Sequence, residues 1–337
     1  MPVITRPHHF NVDDLYVDLT AVAGQPIHLK CEGFNFAGSI KIKAAVEMVT
    51  AALGDNPGST GITLVESSSG NLGVALSVVA ASHGVRFVCV TDSRCTRSSL
   101  QLMRALGTEV LVVDAPHAET GLLGARLELV ERLCAENRNF VWLNQYANEE
   151  NWRAHYRTTG PQILRDFPDL DVLFVGSGTT GTLMGCARYL KQHRPSVRIV
   201  AIDAAGSTTF GGSAMPRFIP GLGTAVTPPL LETSYVDDVV WVSEPDTVRM
   251  CRMLLRSGYL FGGSTGTVVS GALQWLRENA PSVPLTAVAI APDLGDRYLD
   301  TVYDDDWVQK VYGAAGPFDP AGVLPSPSDL LHDARRK

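Results

Sequence analysis

Apolar and polar positions along the chain alternate between two patterns. Short β-branched runs are followed by longer stretches with apolar residues every three or four positions, the periods of strand and helix. The pattern predicts strands over 62–66, 86–90, 109–113, 140–143, 172–175, 197–202, 239–242 and 285–290. Interleaved with them it predicts helices over 43–53, 71–83, 98–106, 119–136, 149–165, 181–193, 245–257 and 266–278. Strand–helix–strand alternation implies parallel sheets with right-handed crossovers. There are too many units for one small sheet. The expected fold class is α/β, with two lobes that each hold a mainly parallel sheet flanked by helices.

Two segments break the alternation. Residues 206–229 are rich in Gly, Thr and Pro without a clear period, and a loop this long inside a domain is more often functional than idle. The Pro-rich stretch from 314 onward is expected to be a flexible tail. No fixed-period repeat is present, so a solenoid is excluded.

Composition narrows the class. The chain has 337 residues, 45% hydrophobic and 19% charged, which is enough apolar material for a sizeable core. Lys and Arg number 28 against 35 Asp and Glu, a net charge of −7. An acidic balance without a basic stripe argues against nucleic-acid partners and against adsorption on anionic membranes. Six cysteines without a C-x-x-C pair argue against a disulfide scaffold and against a metal site. The N-terminus has no apolar signal core, and no apolar run approaches the ~20 residues of a membrane span. The expectation is a cytoplasmic enzyme with reduced cysteines, acting on small molecules.

Four segments carry candidate chemistry. In Gly38-Ser39-Ile40-Lys41 a lysine follows a tight turn and is flanked by apolar residues. A lysine at the rim of an apolar site loses its proton readily and becomes a nucleophile or base, although a lone lysine is most often a solvated surface group. Ser67-Ser68-Ser69-Gly70-Asn71 lies between a predicted strand and helix, where hydroxyls and free N–H groups suit a carboxylate. The alternative there is an ordinary serine cap. Gly176-Ser177-Gly178-Thr179-Thr180-Gly181-Thr182 also joins strand to helix and reads as a phosphate cup, without the lysine of a Walker loop. Gly263-Ser264-Thr265-Gly266 stands at a further helix start, where a capping serine is the competing reading. One cofactor, pyridoxal 5′-phosphate, uses all four: a lysine to hold it, a phosphate cup, a partner for its ring nitrogen and a seat for an amino-acid carboxylate.

With these residues placed, the chain resembles the fold-type II, cysteine-synthase-like pyridoxal-phosphate enzymes over residues 26–311. The segment Pro292-Asp293-Leu294-Gly295-Asp296-Arg297-Tyr298-Leu299 matches their closing motif. The resemblance implies an N-terminal segment (1–43) that packs on the larger lobe and carries Lys41. It further implies a smaller mobile lobe (44–150), a larger phosphate-binding lobe (151–312) and a tail (313–337). It also implies a homodimer.

By the same resemblance Lys41 holds the cofactor and serves as the base at Cα, and Asn71 bonds the cofactor's 3′ oxygen. The phosphate lies in the loop Gly176, Ser177, Gly178, Thr179, Thr180, Gly181, Thr182. Ser264 faces the ring nitrogen, and a serine there leaves a weaker electron sink than an aspartate would, which suits β-elimination. Ser68, Ser69, Gly70 and Gln145 are expected to bind the substrate carboxylate.

A narrower likeness rests on Leu143-Asn144-Gln145-Tyr146-Ala147-Asn148 with Asn151-Trp152 and His155-Tyr156. These are similar to the branch that joins O-phosphoserine to glutamate on the way to 2,3-diaminopropionate in siderophore and antibiotic pathways. Glutamate brings two carboxylates, so two arginines, Arg126 and Arg217, are the acceptor-site candidates, and Tyr146 is a further expected substrate-binding residue. The family's Asp-Arg after the lysine is here Ile42-Lys43, and Gly178 stands where the narrower branch can carry serine. The competing activities are cysteine synthase, cystathionine β-synthase and a dehydratase. From other classes come a catalytically dead regulatory subunit, which Lys41 argues against, and a Rossmann nucleotide binder, whose motif is absent.

Overall fold

A computed structural model of the chain describes residues 3–10, 12–54, 61–117, 121–279 and 284–313. The expected tail beyond Gly313 and the start of the helix expected at 119 lie outside the described residues. The strands are β1 (Tyr16–Asp18), β2 (His28–Cys31), β3 (Thr63–Ser67), β4 (Arg86–Asp92), β5 (Glu109–Val113), β6 (Phe140–Trp142), β7 (Val172–Gly176), β8 (Arg198–Ala204), β9 (Asp238–Val242) and β10 (Ala287–Ala291). The helices are α1 (Thr20–Ala23), α2 (Lys41–Leu53), α3 (Asn71–His83), α4 (Arg97–Ala105), α5 (Gly121–Glu136) and α6 (Glu149–Arg157). They continue with α7 (Thr159–Asp166), α8 (Gly181–His193), α9 (Glu244–Arg256), α10 (Gly263–Glu278) and α11 (Asp305–Tyr312).

Two sheets result. The larger has six strands in the order β1-β2-β10-β7-β8-β9, and only the β1–β2 pair is antiparallel. The smaller has four parallel strands in the order β5-β4-β3-β6. Parallel strands covered by helices on both faces read as continuous apolar runs, and alternate residues serve opposite faces. In β10, Ala287, Ala289 and Ala291 join the cluster under α10, while Val288 and Ile290 join the cluster under α8. Val172 and Phe174 of β7 split from Leu173 and Val175 in the same way. The smaller sheet packs Leu64, Phe87 and Cys89 against α2 and α3, and Val65, Val88 and Val90 against Val130 of α5. Among the described residues no helix is long and apolar enough to cross a membrane.

Besides the short helix α1, the structure departs from the expected elements in three places. The helix expected over 149–165 is two helices, α6 and α7, meeting at Thr158 (φ −124°, ψ −71°). Pro161 explains the break: it has no N–H and its ring would strike the carbonyl one turn back, so it is accommodated only in the first turn of a new helix. Strands β1 and β2 were not predicted, because His28 and Lys30 give β2 a polar look although Lys30 is buried. Helix α11 was also not predicted; it starts at a capping Asp304 whose carboxylate accepts from Trp307 N.

Candidate active site

Helix-forming loops at the carboxyl ends of β3, β4, β7, β8 and β10 face one another across a cavity of about 1040 Å³. A crevice at this end of parallel strands is where open α/β sheets bind ligands. Of the residues expected to hold cofactor or substrate, all but Ser177 line it. The irregular stretch after β8 contributes its wall from Ala214 to Ala225.

Lys41 opens α2 and is partly buried. Its turn is built locally. Asn35 Nδ2 donates to the carbonyls of Glu32 and Ser39, both at 3.0 Å, and Asn35 Oδ1 accepts from Ala37 N at 2.9 Å. Gly38 takes a left-handed φ of +63°, which a side chain would resist. The turn is pinned to the segment after β10 by Ile40 N to Pro292 O at 2.7 Å, Leu294 N to Gly38 O at 3.2 Å and the bridge between Ser39 and Asp293. Burial lowers the Lys41 pKa from 10.5 to about 8, against the pull of the Asp293 carboxylate, which favours the ammonium. The sign follows: above about pH 8 the amine is mostly free. After removal of the cofactor, the rate of its recapture should therefore rise with pH and half-saturate near 8, as followed by absorbance after rapid mixing. A rate still climbing steeply at pH 10 would show a lysine in ordinary solvent.

The Ser68–Asn71 segment caps α3. Ser68 Oγ accepts from Gly73 N at 2.9 Å and Gly70 N at 3.3 Å. Gln145 is tied beneath it: Nε2 donates to Ser67 O at 2.7 Å, and its backbone N–H donates to Glu66 Oε2 at 3.1 Å. Burial pushes the Glu66 carboxyl up to about 7 even though two backbone N–H groups favour its charge. Asn71 is fixed at both ends of its amide. Nδ2 donates to Asp293 Oδ2 at 3.0 Å, and Oδ1 accepts from Arg297 at 3.0 Å.

The Gly176–Thr182 loop ends at the first turn of α8. Thr180 sits there with a left-handed φ of +67°, unusual for a β-branched residue and of the kind concentrated at ligand clamps. Gly181 has no room for a side chain, since a Cβ would lie 2.1 Å from Asn151 Oδ1. Two buried hydroxyls of residues that line the cavity, Ser39 Oγ and Thr180 Oγ1, have no hydrogen-bond partner. Orphaned buried donors beside a helix N-terminus fit an anionic group such as a phosphate. Ser264 stands across the cavity in the first turn of α10, against Gly221, where a Cβ would come within 2.2 Å of its Oγ.

The walls are cationic. Arg94, Arg97, Arg126, Arg217 and Arg297 line the cavity against Asp114 and Asp300. Arg126 is buried with its Nε 3.1 Å from Asp92 Oδ2, within ion-pair range but not aligned as a hydrogen bond. Arg94 holds both oxygens of the same carboxylate, at 2.8 Å and 3.2 Å. Arg217 donates to the carbonyl of Gly206. Burial holds the Tyr146 hydroxyl above the ordinary tyrosine range, so it stays a proton donor.

Sequence reasoning missed Arg94, and it noted Asp293 and Arg297 only within the closing motif, without their place in the site. Asp293 lies two residues past the apolar strand β10, after Pro292, and is buried. A carboxylate at the end of a buried strand was the available signal.

The family model for pyridoxal-phosphate dependent enzymes matches residues 16–293. The chain belongs to that family, with pyridoxal phosphate as cofactor, a fold-type II architecture and a transferase-type β-replacement chemistry. The N-(2-amino-2-carboxyethyl)-L-glutamate synthases of Ralstonia nicotianae and Cupriavidus metallidurans are 38% and 37% identical to it over 313 and 292 residues. Those alignments cover 90% and 86% of this chain and 92% and 86% of the relatives. Among solved structures, O-ureido-L-serine synthase superposes with a TM-score of 0.82 at 32% identity, over 90% of this chain and 96% of that one.

Proposed function

We propose that the protein replaces the β-substituent of O-phospho-L-serine with the amine of L-glutamate. The product is N-(2-amino-2-carboxyethyl)-L-glutamate, a precursor of 2,3-diaminopropionate for a siderophore or antibiotic, made by a cytoplasmic homodimer. The observation that carries the reading is the arginine-rich wall, five arginines against two aspartates. Sulfide is small and needs no dedicated cation, whereas a phosphoserine and a glutamate bring several anionic groups into one partly desolvated cleft, each costly unless paired. The two glutamate synthases similar to this chain support the same reading.

When bound, pyridoxal phosphate supplies the electron sink that lets a proton leave Cα and a group leave Cβ. Lys41 holds the cofactor, takes the Cα proton and returns it, and its lowered pKa keeps free amine available near neutrality. The backbone N–H groups and hydroxyls from Gly176 to Thr182 receive the phosphate. Asn71 reaches the 3′ oxygen, with its amide orientation set by Asp293 and Arg297. Ser264 faces the ring nitrogen with a neutral hydroxyl. Ser68, Ser69, Gly70 and Gln145 seat the substrate carboxylate. Arg126, Arg217 and Tyr146 take the carboxylates of glutamate.

Arg126→Ala or Arg217→Ala should lose about 2–5 kcal/mol of glutamate-dependent transition-state binding, 30-fold or more in kcat/KM. Release of phosphate from O-phosphoserine alone should persist. Mass analysis of products and a single-turnover phosphate assay separate the two half-reactions. Full glutamate turnover in both variants would remove these residues from the acceptor site. A wild type that makes cysteine from sulfide far faster than it consumes glutamate would overturn the substrate assignment.

A further inference from the structure

We infer that Lys43, which lies outside the cavity, is a positioning residue for the cofactor's phosphate: through Thr159 and His155 it fixes the direction in which the Thr182 hydroxyl points its proton. The inference follows from counting donors. An ammonium has three N–H groups and no acceptor. Lys43 Nζ uses all three, on Glu32 Oε1 at 2.8 Å, Gln162 Oε1 at 3.0 Å and Thr159 Oγ1 at 3.1 Å. Thr159 therefore accepts from Lys43, and its own proton goes to its other partner, His155 Nδ1, at 3.0 Å. A neutral imidazole that accepts at Nδ1 carries its proton on Nε2. That proton goes to Thr182 Oγ1 at 3.2 Å. Thr182 lines the cavity at the start of α8, so its hydroxyl is left to donate inward, toward the anion site.

The surroundings hold this chain of donors in place. Glu32, Lys43, Thr159 and His155 are all buried. Gly185 of α8 lets His155 approach closely, since a Cβ there would come within 2.5 Å of the His155 Cβ. Burial, and then the charges of Lys43 and Lys41, hold the imidazole well below its ordinary pKa and therefore neutral.

Removing Lys43 undoes the order. Nothing would then oblige Thr159 to give its proton to Nδ1; Thr159 can accept from Nδ1–H, with His155 in the other tautomer and Nε2 taking the Thr182 proton. Thr182 would face the phosphate with lone pairs instead of a donor.

Two measurements test this. In the wild-type holoenzyme with ring-¹⁵N histidine, the His155 signal, assigned by its loss in His155→Gln, should show a proton on Nε2 only. A proton on Nδ1, or on both nitrogens, overturns the inference without any dependence on a variant folding. The second compares dissociation constants for pyridoxal phosphate and for pyridoxal, which lacks the phosphate. Lys43→Met and Thr159→Val should weaken pyridoxal phosphate roughly tenfold to a hundredfold, the loss of one hydrogen bond to a charged group, and leave pyridoxal unchanged. Thr159→Ser, which keeps the hydroxyl, should bind both as the wild type does. Equal weakening of both ligands, or of neither, overturns the inference.

Discussion

Turnover by Lys41→Ala is expected to fall by at least about 10³-fold. A positioned general base alone contributes about 10²–10⁴, and this side chain is proposed to tether the cofactor as well. Borohydride treatment of the wild type followed by peptide mapping provides the check. The reduced adduct should fall on Lys41 Nζ, which lines the cavity and whose pKa burial has brought down to about 8. Lys43 is the internal control. It lies two residues on in the same helix, but its ammonium is enclosed by Glu32, Gln162 and Thr159 and should stay unlabelled. A label on any lysine other than Lys41 would displace the assignment.

Asp293→Ala is expected to be the most damaging change outside the lysine. The carboxylate is buried and accepts from Tyr298 OH at 2.6 Å, Asn71 Nδ2 at 3.0 Å and Thr265 Oγ1 at 3.1 Å. Truncation takes this acceptor from Tyr298 OH, from Asn71 Nδ2 and from the Thr265 N–H at 3.3 Å, each loss costing about 1–3 kcal/mol, while Thr265 Oγ1 keeps the Asp293 carbonyl. Breaking such a network costs about 3–5 kcal/mol in all, or roughly 10 °C in Tm for a chain of this size. It also releases the Asn71 amide, while the backbone bridge that pins the Lys41 turn is kept. Calorimetry on the cofactor-free protein isolates the stability term. Cofactor affinity should fall further than that term explains, because the site loses its shape. Asp293→Asn, which keeps one acceptor oxygen, should be milder. An Asp293→Ala protein that melts with the wild type and binds cofactor normally would refute this account of the wall.

Much of the α/β layout was legible because local signals and tertiary packing agree. Helices α3 and α8 run over 71–83 and 181–193 as predicted. Each follows a strand and a glycine-rich loop, and α3 stops at Gly84 in the left-handed conformation. Three of the four chemical segments were legible for the same reason, since each lies between a strand and a helix, whereas Gly263–Gly266 opens α10 after another helix, α9. Interior charges were not legible. Lys30, Glu32 and Lys43 have the look of surface residues, and only the fold shows that they neutralise one another in the core: Glu32 Oε1 lies 2.8 Å from Lys43 Nζ and 3.8 Å from Lys30 Nζ. Asp92 with Arg126, and Asn71 with Asp293 and Arg297, join segments far apart in the chain. No local pattern encodes such pairings.

The position of β10 sets when this protein can acquire its cofactor in the cell. Among the described residues it is the last strand, yet it lies between β2 and β7 in the larger sheet, and the segment behind it clasps the turn before Lys41. While the ribosome is still making the C-terminal third, the two inner strands lack their common neighbour and the lysine turn has nothing to rest on. Non-local closure of this kind comes late in folding. Cofactor loading is therefore a post-translational event, and a chain cut short before β10 would carry an intact glycine–threonine loop yet remain colourless.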